Sequence, residues 1–409
     1  MPNPGLEARL EAELERIRAQ NLYRTRRVID GAHGAHITVN GRACVNFCSN
    51  DYLGLASDPR IAEAARAALA ASGTGSGAAA LISGYNREHR ALEEELADFT
   101  RRPRALLFSS GWAANLGVMR ALLRREDTLV ADELNHASLI DGGRLSGARY
   151  VRVRHADLEG FGRALSQAAG AAGKGTTLVA TDSVFSMDGD IAPLAELGGL
   201  CQQHGATLIV DDAHGFGVLG VGDRGALFTN PESNVAKAEI YVATLGKALG
   251  CSGAFVAGSE NLIEFLIQRA RSWVFSTAPP PALAAAARAA LRIVSSQEGQ
   301  QRRAQLFDNV RRFRGGWAQL GLAPALQSAI RNPQSAIATP IQPIVLGDER
   351  RALRLSEALF ERGLWVAAIR PPTVPPGTAR LRITLSGAHS PAQVDALLEA
   401  LAAELRAAA

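Results

Sequence analysis

The stretch "IYVATLGKALGCSGAFVAG", Ile240 to Gly258, places one charged side chain, Lys247, between two apolar runs. "IYVATL" and "AFVAG" are short and rich in Val, Ile and Ala, the composition of strands covered on both faces. Between them lies a glycine-rich turn. The chain has only three lysines, Lys174, Lys237 and Lys247, among 44 basic residues, so Lys247 stands out. A solvated loop lysine is the ordinary reading. Its flanks are small and apolar, however, and a desolvated lysine has a lowered pKa and can act as a Schiff-base nucleophile.

The same texture repeats outward from this stretch. "ALLFSS", "TLVAD", "YVRVR", "TLVATDS" and "TLIVDD" alternate with helical segments at Pro59–Ala71, His89–Thr100, Ala113–Leu123 and Pro193–His204. Such alternation predicts an α/β domain with a mostly parallel sheet, in which ligands bind beyond the carboxyl ends of the strands. "STAPPPALAAAARAAL" breaks the pattern: three prolines precede an Ala-rich helix expected to leave the large domain. Beyond Gln327, "IQPIVLGD", "WVAAIRPPT" and "ARLRITLS" read as strands and Arg351–Arg362 and Pro391–Ala407 as helices, a smaller α+β domain. Near the start, Leu6, Leu10, Leu14 and Ile17 recur at helical spacing and predict an amphipathic helix whose apolar stripe packs. "HITVNGRACVNFCSN" predicts a hairpin around Asn40-Gly41. The expected division is 1–53 for the N-terminal helix and hairpin, 54–287 for the large domain and 288–409 for the small one.

At 409 residues, 47% apolar and 21% charged, the chain is globular and too long for one small core. Its net charge of +4 comes from scattered arginines without a dense basic block, which argues against nucleic-acid binding. Cys44, Cys48, Cys201 and Cys251 show no metal-ligand spacing and are expected as reduced thiols. "MPNPGLEARLEAELER" lacks the apolar centre of a signal peptide, and "ALAAAARAALRIV" is too short and too charged to span a bilayer. A cytoplasmic location is expected.

Strand ends hold the candidate chemistry. "TLIVDDAHG" closes on Asp211, Asp212 and His214. Successive strand side chains face opposite ways, so one acid faces the strand end. A helix-capping aspartate and a metal pair of Asp211 and His214 are both open here. "LFSSGWAANLGV" turns through Ser109, Ser110 and Gly111 into a helix, whose first N–H groups suit a phosphate. "SGTGSGAAALISGYN", Ser72 to Asn86, is a second glycine-rich turn, either another cradle or a flexible loop. His136 follows "TLVAD" and could stack on a planar ring, move protons or be structural. Pyridoxal phosphate (PLP) chemistry needs an amine, an acid that keeps a pyridine nitrogen protonated and a phosphate cup. Lys247, Asp211 and Gly111 offer these from three strand ends.

Six segments in order, "NFCSNDYLGLA", "NHASLIDGGRLSGA", "DSVFSMDGDIAPL", "VDDAHGFGVLG", "TLGKALGCSGAFVAG" and "IRPPTVPPGTARLRITLSGAH", resemble the α-oxoamine synthases from about Leu22 to the C-terminus. These are PLP enzymes of fold type I, aspartate-aminotransferase-like. The resemblance implies a large domain with a mostly parallel seven-stranded sheet, a smaller α+β C-terminal domain and a homodimer with shared sites. It implies that Lys247 carries PLP, Asp211 pairs with the pyridine nitrogen, His136 stacks over the ring, and His214 and Ser186 bond near its 3'-oxygen. The N–H groups of Gly111 and Trp112 and the Thr244 hydroxyl would hold the phosphate. Arg382 would clamp an amino-acid carboxylate with help from Asn50, and Thr373 and Arg24 would meet the acyl substrate. "CSNDYLGLA" and "AIRPPTVPPGTARLR" most resemble the family members that act in biotin formation, and that resemblance implies L-alanine and a pimeloyl thioester, on CoA or acyl carrier protein, as substrates. Members that use glycine or serine, a transaminase and a non-catalytic partner subunit are the alternatives. The family's second glycine turn commonly reads "GSGGSR"; here it is "GSGAAA", with Ala78, Ala79 and Ala80. Trp112 stands where Phe or Tyr is common.

Overall fold

A computed structural model describes residues 4–170, 175–220, 222, 224–228, 238–320 and 338–407. Lys174 and Lys237 lie outside the described residues. The described chain forms two compact units, one built on Asn50–Gln305 and the other on residues 4–49, 306–320 and 339–407.

The second unit opens with the helix Pro4–Ala19 and the strands β1 (Ile29–Asp30), β2 (His36–Val39) and β3 (Arg42–Asn46). The expected hairpin joins β2 to β3, with Asn40 at φ 49 and Gly41 at φ 79. Positive φ at both central residues is the type I′ geometry that an Asn-Gly pair favours. The helix carries its leucines as predicted, but Leu6, Leu10 and Leu14 are 45%, 47% and 41% exposed, so the described residues of this chain leave that stripe largely uncovered. Spacing reveals which side of a helix is apolar, not what covers it.

The larger unit holds seven strands, β4 (Arg104–Phe108), β5 (Thr128–Asp132), β6 (Arg149–Val153), β7 (Thr177–Asp182), β8 (Thr207–Asp211), β9 (Ala238–Thr244) and β10 (Ala254–Gly258). Their order is β4-β10-β9-β8-β7-β5-β6, and β10 alone runs against its neighbours. Consecutive central residues such as Val179, Ala180, Ile209 and Val210 are all 0% exposed, because helices cover both faces. Four helices of this unit match the expected ones to within two residues at each end: Pro59–Ser72, Arg87–Thr100, Gly111–Leu122 and Leu194–His204.

The Ala-rich helix Pro281–Val294 does not leave this unit. Ala282 and Ala285 pack on Ala68 of Pro59–Ser72, small side chains allowing close approach. Arg288 pairs with Glu88 and Glu95 of Arg87–Thr100, at 2.5 and 2.8 Å.

In the smaller unit follow β11 (Ile341–Gly347), β12 (Leu364–Trp365), β13 (Ala367–Ile369) and β14 (Ala379–Thr384). "WVAAIRPPT" is not one strand. β12 pairs in parallel with β3, whereas β13 pairs antiparallel with β14, so the chain changes sheets at the buried Val366. The helices Glu349–Glu361, capped by Asp348, and Pro391–Ala407 complete the unit.

The four cysteines are free thiols. Burial pushes Cys48, Cys201 and Cys251 up to about 12, so they stay protonated and unreactive at neutral pH. Among the described residues no helix is long and apolar enough to cross a membrane.

Candidate active site

The carboxyl ends of β4, β5, β7, β8 and β9 surround a cavity of about 200 Å³ in the larger unit. Gly111, Trp112, His136, Ser186, Asp211, His214, Thr244 and Lys247 all line it. The structure thus brings eight of the sequence-derived candidates together. Asn50 lies in the same unit, with its Oδ1 3.4 Å from the Tyr52 hydroxyl. Arg24, Thr373 and Arg382 belong to the smaller unit.

The adjacent acids divide as the strand pleat requires. Asp211 faces the cavity, its Oδ1 accepting from the Ala213 N–H at 3.1 Å and its Oδ2 from Asn115 Nδ2 at 2.6 Å. Asp212 turns inward and is fully buried, accepting from the Ser183 hydroxyl, from the Tyr241 hydroxyl at 2.8 Å and from the Ala226 N–H at 2.9 Å. Burial lifts Asp212 to about 7 despite these donors. Among the described residues no group of three or more His, Cys, Asp and Glu is arranged to hold a metal.

Lys247 Nζ lies 2.9 Å from His214 Nε2. His214 Nδ1 meets the Tyr52 hydroxyl at 2.5 Å. An ammonium donating to Nε2 leaves the ring proton on Nδ1 to donate to Tyr52, whose own proton points to Asn50. The glycine-rich turn after Lys247 packs closely against the chain. Gly250 has φ 63, and a Cβ there would sit 2.3 Å from the Ala56 nitrogen. That close approach is fixed because Asp51 caps the Leu55 and Ala56 N–H groups at 2.8 and 3.1 Å. Gly250→Ala is therefore expected to destabilise the protein by at least about 1–3 kcal/mol, read as a lower thermal midpoint.

At the mouth of Gly111–Leu122, Ser110 Oγ accepts from the Ala113 N–H at 3.1 Å and the Ala114 N–H returns to the Ser110 carbonyl. Gly111 and Trp112 are left to present their amides with the positive end of the helix, a site for a phosphate. A Cβ on Gly111 would meet nothing within 4 Å. The Thr244 hydroxyl donates to the Gly253 carbonyl at 3.0 Å and accepts from the Gly246 N–H at 3.2 Å, so it must rotate to donate to a phosphate. The "GSGAAA" turn is knitted down by its backbone: Ala79 bridges to Thr277, and Ala78 accepts from the Ala278 N–H at 3.0 Å. An amine, an ionisable acid and a helix end around one cavity fit a planar cofactor with an aldehyde, a basic ring nitrogen and a phosphate.

Several contributors were not singled out in the sequence. Asn115 sits four residues after Gly111, one turn into the helix and on the same face, which is the signal that could have found it. Ser138 is bonded to His136 at 2.7 Å. Asp182 accepts the His136 backbone N–H at 2.9 Å, and burial with the nearby Asp211 holds it well above the ordinary carboxyl range. His155 bridges two buried acids, with Nδ1 3.1 Å from Asp132 and Nε2 2.7 Å from Asp190. It ties the loop that carries His136 to the loop that carries Ser186.

Burial alone would lower the His155 pKa, but the hydrogen bonds and charges of Asp132 and Asp190 outweigh it and raise the imidazole to about 10. A raised folded value gives stability that is complete below the ordinary histidine pKa of about 6.5 and is lost as pH rises through about 10. Chemical denaturation is expected to show a fall in unfolding free energy between these limits that is steeper than in a His155→Gln variant. Equal slopes would remove the charged bridge from the account.

In the smaller unit, Arg24 Nη2 reaches Thr373 Oγ1 at 3.4 Å, whereas Arg27 is engaged with Glu357 at 2.6 Å and lies 4.0 Å over the Phe360 ring. Arg382 is 5% exposed on β14 and donates to Thr384 Oγ1 at 3.0 Å.

Comparison with known proteins finds relatives along nearly the whole chain. The family model for class I and II aminotransferases matches residues 42–401. The 8-amino-7-oxononanoate synthase of Thioalkalivibrio sulfidiphilus is 55% identical, covering 97% of both chains. That of Methylococcus capsulatus is 54% identical, covering 95% of this chain and 96% of the other. Among solved structures, a serine palmitoyltransferase from S. paucimobilis with PLP and myriocin bound superposes at TM-score 0.88, with 28% identity and 97% of both chains covered. An 8-amino-7-oxononanoate synthase from Francisella tularensis gives 0.72, with 33% identity over 89% of this chain and 98% of that one. The chain belongs to the class I and II aminotransferase family and, within it, to the α-oxoamine synthases.

Proposed function

We propose that this chain is the PLP enzyme that condenses L-alanine with a pimeloyl thioester to give 8-amino-7-oxononanoate, CO2 and the free thiol in biotin formation. Near-full-length identity of 55% to a synthase of that name carries the reading. Lys247 and Asp211 lining one cavity support the cofactor.

Lys247 would anchor PLP, Asp211 would hold its ring nitrogen, Gly111, Trp112 and Thr244 would take its phosphate, and His136, His214 and Ser186 would line the cavity beside it. When bound, PLP supplies an electron sink beside the amino-acid Cα. Lys247 Nζ takes the Cα proton. His136 polarises the thioester carbonyl, Arg382 and Asn50 take the amino-acid carboxylate, and Arg24 and Thr373 meet the acyl chain. A Cα–acyl bond forms as the C–S bond breaks, and the thiolate leaves with a proton. The carboxylate then departs as CO2, and a proton returns to Cα.

The protein is assigned to the cytoplasm as a homodimer. Its larger unit exposes apolar side chains, with Leu81, Ile82 and Phe275 at 51%, 80% and 71%, on segments joined by the Ala79–Thr277 bridge. Light scattering is expected to give twice the chain mass, and Ile82→Lys with Phe275→Asp to halve it.

The decisive assay loads the protein with PLP and crosses alanine, glycine and serine with pimeloyl-, acetyl-, succinyl- and palmitoyl-CoA. Thiol release from alanine with pimeloyl-CoA is expected; preference for glycine overturns the assignment.

A further inference from the structure

We propose that Ser138 and Asn115 are positioning residues that fix His136 as a neutral imidazole with its proton on Nε2. The ring then offers a hydrogen-bond donor, not a cation, to whatever enters the cavity. This rests on the reading of the cavity as the reaction site.

A proton count along one buried chain of contacts leads there. Asp211 Oδ2 and Asn115 Nδ2 are 2.6 Å apart. An ionised carboxylate only accepts, so the amide must present its nitrogen. The second hydrogen of the same Nδ2 goes to Ser138 Oγ, at 2.9 Å. Asn115 and Ser138 are each 1% exposed, so water does not compete. Ser138 has one hydroxyl proton, and the acceptor beside it is His136 Nδ1, at 2.7 Å. The Ser138 backbone N–H converges on the same Nδ1 at 3.3 Å, where His136 caps the helix Ala137–Ser146. Two donors aimed at Nδ1 leave no place for a proton on it.

The amide oxygen at the other end agrees. Asn115 Oδ1 is buried without a hydrogen-bond partner among the described residues, so the carboxylate and the hydroxyl, not the oxygen's own needs, set the amide's orientation. Charged groups near the ring are Asp211 and Lys247, and Asp182 holds its backbone N–H. Burial lowers the imidazole's affinity for a second proton; Lys247 adds to this and Asp211 opposes it. A neutral ring keeps a second positive charge away from the Lys247 amine. It still offers Nε2–H to an oxygen that gains negative charge as a thioester is attacked.

The test is long-range proton–nitrogen NMR of histidine-labelled protein, with and without PLP, from about pH 5 to 8. His136 is identified by the signals lost in His136→Gln. The expected wild-type spectrum shows Nδ1 unprotonated and Nε2 protonated across that range. Ser138→Ala is expected to give mixed tautomers or to raise the ring's apparent pKa by about one unit, with kcat about tenfold lower and the alanine KM within twofold. Protonated Nδ1 in the wild-type protein at neutral pH overturns the proposal, as does an unchanged ring spectrum in Ser138→Ala. If Ser138→Ala does not fold, the wild-type spectrum alone decides. The spectra need no acyl donor, so a failure of the substrate assignment leaves this result standing.

Discussion

Lys247→Ala is expected to lower turnover by about a thousandfold or more, because one amine serves both as the cofactor's anchor and as the base at Cα. Lys247 Nζ already lies in the cavity, 2.9 Å from His214 Nε2 and among the groups that would hold the ring and the phosphate. Lys247 is the only lysine among the described residues, so no other side-chain amine there can replace it. Borohydride reduction followed by peptide mass analysis is expected to find PLP fixed to the Lys247 peptide in wild type and to find none in the variant. Asp211 and the Gly111 helix end remain, so PLP is expected to bind the variant reversibly, as followed by equilibrium dialysis. Lys247→Arg separates charge from chemistry. Its guanidinium keeps the positive charge but cannot be deprotonated to take a proton, so it is expected to be as inactive as the alanine variant. Turnover by Lys247→Ala within tenfold of wild type would sink the assignment.

The fold was legible because its signals are local and repeated. Runs such as "TLVATDS" and "TLIVDD" announce fully covered strands, and the residues that follow them announce the edge where a ligand binds. Lys247, Asp211, His136 and Gly111 were each ambiguous alone. They became readable as a set because their kinds match one cofactor. What stayed hidden depends on partners far away in the chain. No local pattern shows that β12 joins β3 while β13 joins β14, so "WVAAIRPPT" read as one strand. The leucines of Pro4–Ala19 have helical spacing, but spacing does not name a covering surface. The approach of Gly250 to Ala56 appears only when the 51–56 loop is in place. Asn115, Ser138 and His155 are ordinary residues in helices or loops until the strands bring Asp211, His136 and the acids Asp132 and Asp190 against them.

Replacing the two adjacent acids of β8 and the turn after it separates catalysis from stability. Asp211→Asn keeps the shape of the side chain but removes the charge that would keep a pyridine nitrogen protonated, and so weakens the electron sink at Cα. Removal of such a preorganised electrostatic partner lowers kcat by roughly 10²–10³. The amide has a second effect, because it can donate towards Asn115 Nδ2, whose approach at 2.6 Å depends on a pure acceptor. PLP bound to this variant is therefore expected to show a ring-nitrogen pKa below that of wild type, followed by the pH dependence of its absorption. Asp211→Glu retains the charge on a longer stem and is expected to recover part of the loss. Asp212 lies one residue on and points the other way, into the hydroxyls of Ser183 and Tyr241. Asp212→Asn is expected to shift the thermal midpoint while leaving kcat within a fewfold of wild type, since the buried group touches neither cofactor nor substrate. If Asp211→Asn behaved like Asp212→Asn, changing stability and not kcat, Asp211 would be one more buried acid in the core and the electron-sink role would have to lie elsewhere in the cavity.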